Sequence, residues 1–518
     1  MNRTSVQSRC SRRAFLSGCV ACAGCMAGGA WLRPQPVRAA QSGAGKPKIR
    51  LVFCETTNDK PIWPNVGYDF DQRRNQVLKC LADGCPDIEF LTERVMDEPK
   101  HSADVLARDA EVDGYLVCVQ GLGWNNDIVK LCTTGKPSLV VDNLFGGSGL
   151  FLVKQPEISA SGKPVDWVSS SNDEDIVASA RNFALLREGK TAAEVAAAFR
   201  ATRRQRTPMD ADWTCKEDPI RQVDYGAALK RLRDTKILVV GGGWGGDAFR
   251  QAARQVVGVT FVPITFDELA VAYKQADKTQ AKEFAERWAA AAEKVMEPNA
   301  VDLEKSGAMY VAMKQLIDHH GARGISINCL GGFYGGHMDA YPCLGFTQLN
   351  NELLVGGCEA DQMSALTMIT MSELVGRPGY ISDPVIDTSK NEIIYAHCVA
   401  MTKPFGPDGQ DNPFRVRNHS EDRKGVSIQS LLPEGYMTSS LEINPTLRQV
   451  LFHQAKSSGN SDSDMACRTK LRGIVKGDIE KLTENWRMGW HRVTVYGDLK
   501  EHVTELCGRL KLTLIEEA

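Results

Sequence analysis

Apolar positions along the chain follow two different rhythms. Between residues 47 and 150, short apolar runs alternate with stretches of helical period. Runs at 49–53, 88–91, 114–120 and 137–141 predict buried strands, and 71–81, 101–110 and 126–133 predict helices between them. Strand–helix alternation of this kind predicts a parallel sheet with helices on both faces. Residues 151–225 are less regular. They carry a Ser-rich loop at 169–172, an Ala-rich helix near 191–203, and a basic run, Arg203-Arg204-Gln205-Arg206, that reads as a solvated face or linker.

The alternation resumes at Lys236. Strands are expected at 237–240, 259–264 and 324–329, with helices at 267–275, 279–296 and 302–320. From about residue 375 the rhythm changes. Short strands at 380–386, 392–399, 425–431, 491–496 and 512–515 are separated by turns rich in Pro, Gly, Asn and Asp, which predicts an antiparallel, barrel-like third domain. The expected fold is α/β: two parallel-sheet domains, 47–225 and 226–374, followed by a C-terminal antiparallel β-rich domain, 375–518.

Composition narrows the class. With 518 residues, 43% hydrophobic and 24% charged, the chain can build several domains with proper cores. A disulfide-stapled miniprotein, a coiled coil and a disordered tail are excluded. A net charge of −2 provides no global field for nucleic acid or an anionic membrane, so neither is expected as a partner. Beyond the first forty residues no apolar run approaches the roughly 18–20 residues of a membrane span.

Those first residues read as an export signal. Arg12-Arg13 precede a mildly apolar stretch at 14–32, and Val37-Arg38-Ala39 supplies small residues for cleavage after Ala39. The pattern resembles a twin-arginine leader at 1–39 and predicts a periplasmic or otherwise exported protein. Leu16-Ser17-Gly18-Cys19 also resembles a lipobox, but few apolar residues precede Cys19, so lipid anchoring there ranks second. Four of the 16 cysteines lie in this leader. The rest form no CxxC pair, which removes zinc-ribbon and thioredoxin readings, and Cys54, Cys118, Cys329 and Cys398 read as small buried hydrophobes.

Two stretches carry candidate chemistry. Gly241, Gly243 and Gly246 fit GxGxxG between a strand and a helix, but the next strand lacks the acid that a dinucleotide ribose requires. A tight strand-to-helix turn, or a turn near a sugar or phosphate, fits better. The denser cluster lies at 356–398. Glu359 and Asp361 precede an apolar helix, and Asp361 suits its N-cap. Asp383 interrupts a hydrophobic strand and His397 ends another. Buried polar groups need partners, and two carboxylates with an imidazole make a hard-metal set. Without a thiolate that set favours Mn²⁺ or Mg²⁺ over zinc, and the imidazole tilts it towards Mn²⁺. His491 heads a late strand. Arg415, Arg417, His419 and Lys424 form a polar loop that could face a sugar or simply be solvated.

These residues resemble the L-fucose isomerase/L-arabinose isomerase superfamily. The matching stretches are Gly-Cys-Glu-Ala-Asp at 357–361, Leu-Thr-Met at 366–368, Gly-Arg-Pro at 376–378, Ser-Asp at 382–383, Ala-His-Cys at 396–398 and His-Arg-Val-Thr-Val-Tyr-Gly-Asp at 491–498. The likeness covers most of the chain after the leader and is sharpest over 324–400 and 485–518. It implies two Rossmann-like domains and a β-rich domain around a Mn²⁺ ion, with Mg²⁺ or Co²⁺ as substitutes. The metal-ligand roles fall on Glu359, Asp383 and His491, and His397 matches a further ligand of the arabinose branch. The resemblance implies aldose–ketose isomerisation of a sugar through a cis-enediol, with Glu359 and Asp383 as catalytic carboxylates, in a homotrimer or homohexamer. Cys-Glu-Ala-Asp replaces the usual Cys-Glu-Gly-Asp. Two other functions compete: an exported nicotinamide-dependent sugar oxidoreductase, and a non-catalytic periplasmic sugar-binding protein.

Overall fold

The early apolar runs pair side by side in one direction. In the computed structural model, which describes residues 45–518 apart from 125–126, 210–211 and 222, they form a five-stranded parallel sheet. Its strands are β1 (Lys48–Glu55), β2 (Glu89–Met96), β3 (Gly114–Val119), β4 (Ser138–Asp142) and β5 (Val165–Ser169), in the order β2-β1-β3-β4-β5. The leader, with its Arg pair and Cys19, lies outside the described residues. Strand β5 falls in the stretch that looked irregular. It holds only five residues, and the polar Asp166 and the Ser-rich end mask its pattern.

The basic run after it is a correction. Arg203 is neither solvated nor in a linker: it is 4% exposed. Its guanidinium stacks 3.8 Å over the Trp167 ring and pairs with Asp166 at 3.0 Å and Glu480 at 2.8 Å. It therefore ties the first domain to the helix Ile479–Glu484 of the C-terminal domain.

The second sheet is parallel as well. It contains β6 (Lys236–Val240), β7 (Thr260–Ile264), β9 (Gly324–Ile327) and β10 (Val355–Gly357), in the order β10-β9-β6-β7. A two-residue strand, β8 (Lys294–Val295), joins β13 (Phe414–Arg417) and β14 (Ser427–Ser430) in a small mixed sheet.

The third domain closes on itself. Strands β11 (Gly379–Asp387), β12 (Glu392–His397), β15 (Met437–Asn444), β16 (Gln449–Asn460), β17 (Thr469–Val475) and β18 (Arg492–Tyr496) run β15-β18-β11-β12-β17-β16, and β16 pairs back with β15. Strand β19 (Thr513–Glu516) adds in parallel to β16. Strands β13, β15, β16 and β17 escape the sequence reading: β13 is only four residues, with buried Phe414 and Val416 alternating with Arg415 and Arg417, and the barrel strands bury polar residues. Thr438, Ser439 and Ser440 are fully buried. Their hydroxyls donate to the Ala455 and Gly497 carbonyls at 2.8 Å and meet the Thr494 hydroxyl at 3.0 Å. Successive strand side chains face opposite sides, so both faces of this strand are covered, and hydroxyl partners on each let it be buried without an apolar face. Among the described residues no helix is long and apolar enough to cross a membrane.

Candidate metal centre

The four sequence-predicted residues meet where the second sheet abuts the barrel. Strand β10 ends in a single turn, Cys358–Ala360, whose Glu359 and Ala360 take φ of 58° and 50°. Two successive non-glycine residues in the left-handed region are costly and persist only where the surroundings hold them. One restraint is the loop Gly241–Gly246. A Cβ on Gly243 would lie 2.1 Å from the Ala360 carbonyl oxygen, and Gln362 Nε2 donates to the Trp244 carbonyl at 2.9 Å. This close approach accounts for the glycine there and supports the tight-turn reading of the motif.

Asp361 then starts the helix Gln362–Val375. Its Oδ1 accepts from the Met363 and Ser364 amides at 2.9 and 3.1 Å, as an N-cap does. Its Oδ2 accepts from the Ser364 hydroxyl at 2.7 Å and lies 2.8 Å from His491 Nδ1. The cap therefore doubles as the group that orients a histidine, a role the sequence reading missed. Position 361 within the Glu-Ala-Asp triplet was the available signal.

Strand β11 delivers Asp383 and its neighbour β12 delivers His397; Asp383 stands opposite Ala396 in the antiparallel register. Asp383 and His397 are 3% and 2% exposed. His397 Nδ1 lies 2.8 Å from Asp383 Oδ2. His491, just ahead of β18, reaches in from the other side. Its Nε2 is 3.0 Å from Asp383 Oδ1 and 3.7 Å from Glu359 Oε2.

The electrostatics separate the carboxyls. Burial raises Glu359 above the usual carboxylate range, with His491 opposing and Asp383 reinforcing the shift. Burial also works against ionisation of Asp383, but His397 and His491 outweigh it and hold Asp383 well below its usual range. Asp361 is likewise held low by its bonds from His491 and Ser364 despite burial. Between these carboxylates the His491 imidazolium is favoured far above its ordinary pKa, again against burial.

The arrangement suits a cation. Asp383 Oδ1 and His397 Nε2 are buried without a hydrogen bond, Oδ1 having only its ion-pair contact with His491. Glu359 Oε2 and Asp383 Oδ1 both face His491 Nε2, and Asp361 fixes the other nitrogen of His491. A carboxylate behind a ligating imidazole is the usual support of a metal-bound histidine. His397 stands next to this group, its Nδ1 committed to Asp383.

Sequence reasoning also missed the sulfur. Cys358 Sγ, a Glu359 oxygen and a His397 nitrogen lie within 4.8 Å of one another, as do donor atoms of Asp383, His397 and Cys467. No spacing signal marks Cys467, which arrives on the loop before β17. The polar loop resolves differently: Arg415 and Arg417 pair with Glu293 and Glu297, and His419 pairs with Asp422. A cavity of about 720 Å³ bordered by Trp288, Gln348 and Thr402 includes none of the four predicted residues.

No family model matches the chain. It is similar to curated proteins named sulfoquinovose isomerase. The one from Priestia aryabhattai is 24% identical over 308 residues, covering 57% of this chain and 68% of the relative. The one from Clostridium sp. (strain MSTE9) is 24% identical over 302 residues, covering 55% and 66%. A shorter match to that of Alkalicoccus urumqiensis is 30% identical over 91 residues. The relatives that this centre's chain resembles thus carry the name of sugar isomerases.

Proposed function

We propose that the chain is a metal-dependent aldose–ketose isomerase acting on a sugar through a cis-enediol. The observation that carries this reading is the placement of His491, whose Nε2 lies 3.0 Å from Asp383 Oδ1 and 3.7 Å from Glu359 Oε2, with Asp361 locking the imidazole from behind. The similarity to sulfoquinovose isomerases supports it and makes sulfoquinovose the first sugar to offer.

Glu359, Asp383 and His491 would hold the ion, with His397 beside them; Mn²⁺ is the expected species, and Mg²⁺ or Co²⁺ its substitutes. Bound there, the ion supplies charge stabilisation to sugar oxygens as the enediolate develops. Glu359, raised by burial, is suited to take the proton from C2 of the open-chain sugar. Asp383, the second carboxylate of the exchange, starts ionised; it would take the proton that leaves the O2 hydroxyl and return it at C1, while the C2 proton on Glu359 passes to O1. His491 keeps its Nδ1 proton on Asp361, so that once its Nε2 proton has left, Nε2 is the nitrogen that offers a lone pair.

The test is elemental analysis and ketose formation with purified protein, beside Glu359→Gln. The wild type should carry about one Mn²⁺ per subunit and convert an aldose. The variant should lose turnover by at least the roughly 10²–10⁴-fold of a missing proton-transfer group, without loss of fold. A wild type that takes up no Mn²⁺ after incubation, or a variant that turns over normally, overturns the assignment. Export through the leader and a homotrimeric or homohexameric assembly belong to the same reading.

A further inference from the structure

Asp383 presents its two oxygens to two different donor sets. Oδ1 faces His491 Nε2 at 3.0 Å, on the side of Glu359. Oδ2 faces His397 Nδ1 at 2.8 Å and Cys467 Sγ at 3.9 Å. Asp383, His397 and Cys467 are all buried, and their donor atoms lie within 4.8 Å of one another. His397 Nε2 is buried without a partner. The second set is thus one carboxylate oxygen, one imidazole nitrogen and one sulfur.

We propose that Asp383 bridges two cation sites and that its Oδ2, with His397 Nδ1 and Cys467 Sγ, binds a soft divalent ion of the zinc–cadmium class. The proposal rests on the reading that the Oδ1 side holds the hard ion. Tetrahedral zinc with bonds of about 2.0 Å to oxygen or nitrogen and about 2.3 Å to sulfur has donor–donor edges of about 3.3 and 3.5 Å. The observed 2.8 and 3.9 Å lie within about half an ångström of these edges, a shift that side-chain rotation can supply. Thiolate selects such ions over Mn²⁺ and Mg²⁺. Three protein donors leave one position open.

The protons balance. Binding releases the Cys467 thiol proton to solvent. Binding also releases to solvent the proton that His397 Nδ1 shares with Asp383, leaving a neutral ring protonated at Nε2. One Glu359 oxygen lies within 4.8 Å of a His397 nitrogen. The alternative is that Cys467 is merely a buried thiol hydrogen-bonded to Cys398 and weakly to Asp383.

The probe is Cd²⁺, added to the full chain after loading with Mn²⁺. The expected result is one further ion per subunit and a thiolate-to-cadmium charge-transfer absorption in the ultraviolet. Cys467→Ser should lose that band and keep Mn²⁺; Cys467→Ala serves if the serine variant misfolds. Glu359→Gln should lose Mn²⁺ and keep the band, so failure of the hard site and failure of the soft site give opposite patterns. Cadmium NMR on the unmutated chain reads sulfur ligation without any substitution. No band in the wild type, a cadmium shift without sulfur, or a band of full intensity in Cys467→Ser overturns the proposal. The last result would move the site to Cys358 or another thiol.

Discussion

At the scale of single residues, Asp361 joins two tasks that substitutions can separate. Asp361→Ala removes the helix cap, at about 1 kcal/mol, and the carboxylate behind His491, which should weaken Mn²⁺ binding about 10–100-fold. Asp361→Asn keeps a good cap but removes the charge, so stability should recover while Mn²⁺ affinity stays low. Thermal melts and Mn²⁺ titrations of the two variants check this. Acidity acts on the same imidazole. His491 is held protonated between Asp361, Asp383 and Glu359, and a cation at Nε2 must displace that proton. Mn²⁺ affinity should therefore fall as pH falls, with a proton released on binding, measurable by calorimetry in buffers of different ionisation enthalpy. An affinity independent of pH would remove His491 from the ligand set.

At the scale of elements, Asp142 at the end of β4 is buried and accepts from the Ser148 and Ser169 hydroxyls at 2.9 Å. Burial raises it to about 7 from its ordinary 3.8, the two hydroxyls opposing. The folded state therefore holds a proton that the unfolded chain gives up. Its contribution to stability is full below about 3.8, falls by about 1.4 kcal/mol per pH unit up to about 7, and is lost beyond. Asp142→Asn should gain on the wild type in melting temperature between pH 4 and pH 7, and no further above. The strands of the two parallel sheets were largely legible because both faces are covered and each core strand reads as an apolar run. Glu359, Asp383 and His397 stood out for the converse reason, each a polar residue in or beside such a run, whereas His491 was singled out only through the family resemblance. The barrel was legible only in part. Strands such as Met437–Asn444 bury serine and threonine against carbonyls that only the closed ring supplies. Cys467 was invisible, because its neighbour Asp383 is 84 positions away along the chain.

At the scale of the whole molecule, the first domain reaches the centre through Trp490. The indole packs edge-on to Trp63 at 4.7 Å, donates to the Pro384 carbonyl at 2.9 Å and stacks beside His491. A Cβ on Gly149, in the helix Ser148–Ala160, would sit 2.6 Å from this ring. Gly149→Val should therefore shift Trp490, lower the melting temperature and weaken Mn²⁺ binding severalfold, although position 149 touches no ligand. Unchanged affinity would show the indole to be packing alone. A homotrimer or homohexamer is the expected assembly, and light scattering would refute it with a monomer. The order of the barrel strands has a kinetic consequence. Strand β18 slots between β15 and β11, so the ring cannot shut until this late segment arrives, and His491 travels with it. Ring closure and completion of the ligand set are then one event, delayed by the loop entropy of pairing distant segments. During refolding, Mn²⁺ capture should keep pace with the slowest, barrel-closing phase and never precede it, making the ion a clock for the last step of folding.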